Sequence, residues 1–484
     1  MLAKLDFQTI KFWLKVGIPI GVSLVALAGF ASVWLWYTCK QFFRSGTEKT
    51  LLRGAAALEK QNHRLAIQEF TRTIELEPES ARSYYMRGSA YFGADELSPA
   101  IEDLSQAIRL DTTVPDYHFT RGVAYTFAKE YRKAIGDFSE AIRLNPDQAK
   151  YYIKRANAYT FIDDFAQSVT DYTQAISIDP DCMDAYRLRA AVFYILDRFT
   201  ESISDYNKVL EERPDDWGLL KGRGCSYYHS GQFSAAIQDF SAALQSTPDD
   251  AKLLCEIGMA RRECGQYNRS LEDLNRSLDL DPSSTRVLYE RGCTKLRLKN
   301  FAEAMQDFED VLKVDQQHAQ SHFGRALVLI HENRLKEAFD AAEKACKIEP
   351  AVGLQIRGRV LVAAGHYEKG FRDLKAAFKL VPNNPALANM IGWLRSSLNH
   401  PDARNPTEAV EYAKIACQLT NNQNWGLIDT LAAALADAGR WEEAVKIQRK
   451  VVHALGNFSP DYQRRLDLYL NRQPNRQSFA ELLP

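Results

Sequence analysis

A basic residue followed by a small one returns every 34 residues along most of this chain. It stands at Arg53 and Gly54, Arg87 and Gly88, Arg121 and Gly122, Arg155 and Ala156, Arg189 and Ala190, Arg223 and Gly224, and again at Arg291 and Gly292. A second small residue trails the first by 12, as Ala66, Ala100, Ala134, Ser168, Ser202 and Ala236, and prolines such as Pro146, Pro180 and Pro214 close the units. A fixed period of this length is the mark of stacked supersecondary units, each burying its apolar side against the next. The stretch from Arg189 to Asn207 carries the pattern in its densest form.

Within the unit 81–114, Tyr84, Gly88 and Tyr91 are spaced by three and four, and so are Ala100, Leu104, Ala107 and Ile108. Each set shares one face of a helix. Gly88 and Ala100 mark where the two helices cross, because a larger side chain there would force them apart. A proline just past the second helix stops it.

The order aromatic, small, aromatic, small, aromatic, proline, seen as Tyr152, Ala156, Tyr159, Ser168, Tyr172 and Pro180, resembles the tetratricopeptide repeat, in its bacterial type. Twelve units match: 47–80, 81–114, 115–148, 149–182, 183–216, 217–250, 251–284, 285–318, 319–350, 351–384, 385–424 and 425–458. The resemblance implies an all-α, right-handed superhelical solenoid whose concave groove is lined by the first helix of each unit and holds segments of other proteins. Two departures stand near the C-terminus. The join at Pro350 is two residues short, and the eleventh unit carries five extra residues between Asn399 and Pro406. Asn405, Pro406 and Glu408 then supply a cap, a first-turn proline and a first-turn acid for its second helix. Residues 459–471 read as a helix capping the exposed end of the array, and 472–484 as a frayed tail.

Ahead of the array, residues 16–37 contain no charge and are long enough to cross a roughly 30 Å hydrocarbon layer. Phe12, Trp13, Trp34, Trp36 and Tyr37 flank the run as interfacial aromatics would. The rival reading, a signal cleaved near Ala28, is weakened because the apolar run continues past it. The expected layout is a short segment 1–15, a single-pass transmembrane helix 16–37 in contact with the bilayer, and a linker 38–46 holding the array close to the membrane. Gly17 and Gly21 form a G-x-x-x-G pair that would let two such helices associate as a homodimer. Lys4, Lys11 and Lys15 precede the span, and Lys40, Arg44, Lys49 and Arg53 follow it. That near tie, with the cysteine usage, favours a cytoplasmic array over a periplasmic one.

The 61 basic and 62 acidic residues give a net charge of −1, so no global attraction to nucleic acid is expected. The eight cysteines include no C-x-x-C pair and read as core hydrophobes. His318 and His322 have the spacing of a metal pair but lack a third ligand, so neither metal nor cofactor is expected. No phosphate-binding loop or nucleophile motif occurs, which argues against an enzyme. Most of the periodic arginines are followed 16 residues later by an acid, which reads as an ion-pair ladder joining the two helices of a unit. Arg325 meets Ala341 instead.

Carried over unit by unit, the resemblance places Lys150, Lys154, Asn157, Arg187, Tyr194, Lys221, Tyr228 and Lys252 on the groove. That surface is basic and aromatic, and an acidic or C-terminal peptide is the ligand it implies. Lys150, Lys154 and Asn157 resemble in type the carboxylate-clamp repeats of chaperone adaptors, but Lys221 is followed by Cys225 where the clamp needs asparagine. The function expected is a membrane-anchored scaffold for partner proteins. The alternatives are an assembly factor of an envelope complex docking through its convex face, or a non-catalytic regulatory subunit of an enzyme complex.

Overall fold

Each repeat folds as a helical hairpin, here called helix A and helix B, because the backbone is reversed at one left-handed residue between them. That residue recurs with the sequence period at Asp95, Lys129, Asp163, Asp197 and Lys299, with φ between 56° and 63°, and glycine takes the place at Gly231 and Gly265. At Asp95 the turn is tied by the Asp95 amide donating to the Phe92 carbonyl (3.1 Å) and the Glu96 amide to that of Tyr91 (2.9 Å), a Schellman closure. Side-chain caps open several helices, among them Ser80, Asp164, Asp216 and Asn405.

The computed structural model describes residues 46–477, apart from 421, 423 and 456–459. Among them are 25 α-helices, one 3-10 turn and no strand. They divide into two compact units. The first runs to Pro214 and holds five hairpins, from Gly46–Glu59 with His63–Leu76 to Met183–Ile195 with Phe199–Leu210. The second begins at Asp215 and holds seven, from Trp217–His229 with Phe233–Ser246 to Trp425–Asp437 with Trp441–Leu455, followed by Pro460–Leu470. Within each unit helix A packs on its own helix B and touches the next helix A, while helix B packs on the helix A that follows.

The small residues serve a more specific purpose than clearance between helices. In repeat 3 a Cβ on Gly122 would lie 2.8 Å from the fully buried ring of Phe138, so the aromatic of helix B occupies the space the missing side chain leaves. The ladder arginines then cross-link three helices. Arg155 of helix A Ala149–Phe161 grips Asp171 of its own helix B with two bonds (2.7 and 2.8 Å), and its third nitrogen donates to Ser139 of the preceding helix B (3.0 Å). The guanidinium also stands over the Tyr152 ring, at 5.7 Å from its centroid. The same bidentate grip forms at Arg87, Arg121, Arg189, Arg223, Arg291 and Arg357. Two expected rungs differ. Glu69 pairs with Arg72 on its own helix at 2.9 Å, leaving Arg53 exposed. Arg325, facing Ala341, reaches only Glu309, at 3.9 Å.

The short join at Pro350 is resolved by economy. Glu349 alone separates helix B Leu335–Ile348 from helix A Pro350–Ala363, acting as cap to both. A Cβ on Gly353 would fall 2.1 Å from the Cys346 backbone nitrogen, so only glycine permits this approach. The five-residue insertion folds over Arg395, which is 2% exposed, bonded to Glu408 (2.7 Å) and set over the Phe371 ring at 3.6 Å. The closing helix Pro460–Leu470 packs on repeat 12: Leu466 and Tyr469 are buried, and Arg465 bonds Asp429 at 2.9 Å.

The tail corrects the sequence reading, since its first residues are docked rather than frayed. The Gln477 amide donates to the Ser397 carbonyl (2.9 Å), the Asn399 amide to that of Gln477 (3.1 Å), and Asn475 is buried. The expected transmembrane helix 16–37, its Gly17 and Gly21 pair and the linker 38–46, save Gly46 at the start of the first helix, lie outside the described residues. No described helix is long and apolar enough to cross a membrane.

Repeat 7 tests the energetics of the ladder. Ile257 occupies the arginine position, and Asp273 is served instead by Arg261 at 2.7 Å. Burial pushes the Asp273 carboxyl up from 3.8 to about 6, with Arg261 opposing. Because the folded value lies above the ordinary one, ionisation costs stability. The stabilising contribution is intact below about pH 4 and is lost as pH rises through about 6. Asp273→Asn is therefore expected to stabilise the second unit at pH 7 by roughly 1–3 kcal/mol, and to change little at pH 4. Denaturant titrations at the two pH values check this.

Candidate functional site

The faces of helix A not spent on ladder or core carry the candidate residues, and the two units are best taken one at a time. In the first unit Lys150 is half-exposed at the start of helix A of repeat 4, and its ammonium lies 3.5 Å from Asp116 and 5.2 Å from the Phe119 ring centroid. The Tyr151 hydroxyl donates to the same Asp116 at 3.1 Å. One turn on, Lys154 is half-buried and forms no salt bridge among the described residues. Burial pushes its ammonium below the ordinary 10.5, and Asp184 only partly offsets this. Asn157 is engaged in structure, its side-chain carbonyl accepting from the Tyr172 hydroxyl. Arg187 lies 3.6 Å from Asp184 with both side chains accessible, and Tyr194 tilts against Phe199 at 5.9 Å between ring centroids. The structure thus gathers Lys150, Lys154, Asn157 and Arg187 on adjacent helices A but interleaves them with Asp116 and Asp184.

Those acids were missed in the sequence although the period shows them. The second residue of successive helices A runs Arg82, Asp116, Lys150, Asp184, each 34 after the last. The strip alternates in sign, so it is less basic than a count of its lysines and arginines indicates.

In the second unit Lys221 lies 3.5 Å from Asp250, and Lys252 is exposed. Tyr228 packs on Phe233, and burial pushes its phenol up to about 12. Arg286 bonds Glu256 at 2.8 Å and Arg262 bonds Glu290 at 2.5 Å. Burial raises the thiols here too, Cys225 to about 11 and Cys255 and Cys293 to about 12, which keeps them protonated and unreactive at neutral pH. His318 caps helix A of repeat 9, its Nδ1 accepting from the Ser321 amide at 3.1 Å, and His322 Nε2 lies 3.1 Å from the Gln316 carbonyl. Both rings are therefore engaged in local structure. Among the described residues no cluster of potential ligands could hold a metal ion.

A succession of helical hairpins with half-exposed helix A faces defines an α-helical repeat scaffold. The chain belongs to the tetratricopeptide repeat family: one model of that repeat matches residues 51–115, 153–216, 221–285 and 289–351, more than half the chain, and a second matches 115–148. Repeats 10 to 12 lie beyond these matches, and their helices carry the assignment. The family's fold is that of a scaffold for protein–protein interaction. No curated protein matches the chain. Among solved structures it is similar to a crystal structure of MamA, at 22% identity over 36% of this chain and 97% of that one, with a TM-score of 0.33. A tetratricopeptide repeat protein from Parabacteroides merdae is similar at 16% identity over 52% and 99%, with a TM-score of 0.38. The hetero-tetramer Cut9–Hcn1 of the APC/C is similar at 14% identity over 88% and 90%, with a TM-score of 0.39. At these identities the likeness concerns fold alone.

The Lys154 environment has a direct chemical readout. In competitive acetylation across a pH series, its amine is expected to titrate below a free lysine standard. Asp184→Asn is expected to move the midpoint lower still, because it removes the charge that opposes desolvation.

Proposed function

We propose that this protein is a membrane-tethered scaffold that holds segments of partner proteins on its helix A faces. Lys154 carries the reading: a half-buried ammonium with no salt-bridge partner among the described residues, where nearly every ladder arginine is satisfied by the fold. Beside it stand Arg187, whose Asp184 contact is accessible, and the aromatic Tyr194. A carboxylate from an acidic or C-terminal segment would supply the missing charge. The tether is argued from the uncharged run 16–37 and the brief link that follows it. A cytoplasmic array is the favoured side.

Replacing Lys154 and Arg187 together by alanine is expected to leave helicity unchanged and to reduce capture of acidic peptides at least about tenfold, the worth of one charge-assisted contact. Unaltered capture would remove the first unit from the binding surface. For the tether, alkaline carbonate extraction should leave the full-length chain in the membrane pellet. A membrane-impermeant maleimide should reach Cys182 only after the cells are opened. Recovery of the protein in the supernatant, or labelling in intact cells, would overturn the respective part.

A further inference from the structure

On the second unit several basic residues of repeats 6 to 8 have acids beside them, as Lys221 with Asp250, Arg286 with Glu256 and Arg262 with Glu290 show. Arg359, on helix A of repeat 10 (Pro350–Ala363), does not. Its guanidinium stands over the Phe323 ring of repeat 9, at 5.4 Å from the centroid, and its Nε points to the Met390 sulfur of repeat 11 at 2.7 Å. Three successive helices A therefore meet around one arginine. A thioether is a weak acceptor and a ring face compensates only part of a full charge. Among the described residues no carboxylate pairs with Arg359, and no hydrogen bond is made by its two terminal nitrogens. Burial pushes the guanidinium down to about 10, and the positive charge of Arg297, exposed on helix A of repeat 8, acts in the same direction.

The side chain is only half-buried and neither terminal nitrogen is a buried orphan, so the fork is open to a ligand. The two free nitrogens present the fork that a carboxylate fills with two parallel bonds. We propose that Arg359 seats the carboxylate of an acidic segment in a partner protein, while the half-buried Phe323 ring receives an apolar side chain that flanks it. The proposal rests on the helix A faces being a peptide-binding surface and adds an acidic subsite in the second unit. A planar carboxylate suits this single fork between apolar neighbours, whereas a phosphate carries more charge than one guanidinium meets.

The test uses the full-length protein in detergent and an array of short peptides. Each is present in a glutamate form, a matched glutamine form and a phosphoserine form, with a photo-crosslinker beside the variable residue. The unmodified protein should bind a subset of glutamate forms about tenfold or more over their glutamine partners, and crosslinks from that subset should fall on or beside Phe323. Arg359→Gln should bring that ratio close to one, and Arg359→Lys should restore part of it. An undiminished ratio in Arg359→Gln, preference for phosphoserine, or crosslinks confined to the first unit would each overturn the proposal while leaving the scaffold reading in place. Failure of every form to bind would instead remove the peptide-binding surface itself. A structural role for Arg359 is separated by Arg359→Met. Because the fork is open to solvent, its loss should leave the melting temperature within about 1–2 °C, and a larger fall would show that the arginine holds the fold and would end the proposal.

Discussion

The cohesion of this protein depends on a guanidinium held on all sides. Arg121 and Arg189 each meet a carboxylate of their own hairpin, a hydroxyl of the hairpin before it, and an aromatic face of their own helix. The pair Arg121 and Asp137 is only 20% and 7% exposed, so removing either member would strand the other in a poorly hydrated place. The arginine also reads the neighbouring hairpin, because its third contact fails if adjacent units are misregistered. Apolar packing joins the hairpins, and the polar rung fixes how far each is turned on the last.

This arrangement confines each unit's debts to its nearest neighbours, as in other repeat proteins. It also explains how the chain tolerates irregular rungs. At Arg325 the missing acid is replaced by a weak approach to Glu309, and at Asp273 an arginine four positions along the helix substitutes for the absent one. Where the period itself breaks, the repair is local too. Gly353 admits the abrupt join, and a buried Arg395 organises the inserted loop.

Much of the architecture was legible in the sequence because helix crossings, rungs and prolines recur in one register. Arg155 and Asp171 could be paired from their spacing alone. The candidate surface was legible only in part. Lys150 and Arg187 stood out as basic, but Asp116 and Asp184 share their surface from neighbouring helices and were overlooked when lysines and arginines were counted. Arg359 was invisible for a different reason: its neighbours Phe323 and Met390 lie on separate helices, and the two-residue shortening at Pro350 shifts it out of the register that makes the other positions comparable. The left-handed turn residue also escaped notice, since aspartate, lysine and glycine all fill it. The docked segment before Gln477 carries no periodic signal at all.

That segment has a topological consequence. By pairing with Ser397 and Asn399 it brings the chain back from the closing helix, past repeat 12, to repeat 11. Gln477 itself therefore stands beside the eleventh repeat and not on the terminal helix. A deletion beginning at Arg472 would thus disturb repeat 11, although the residues removed come after repeat 12 along the chain.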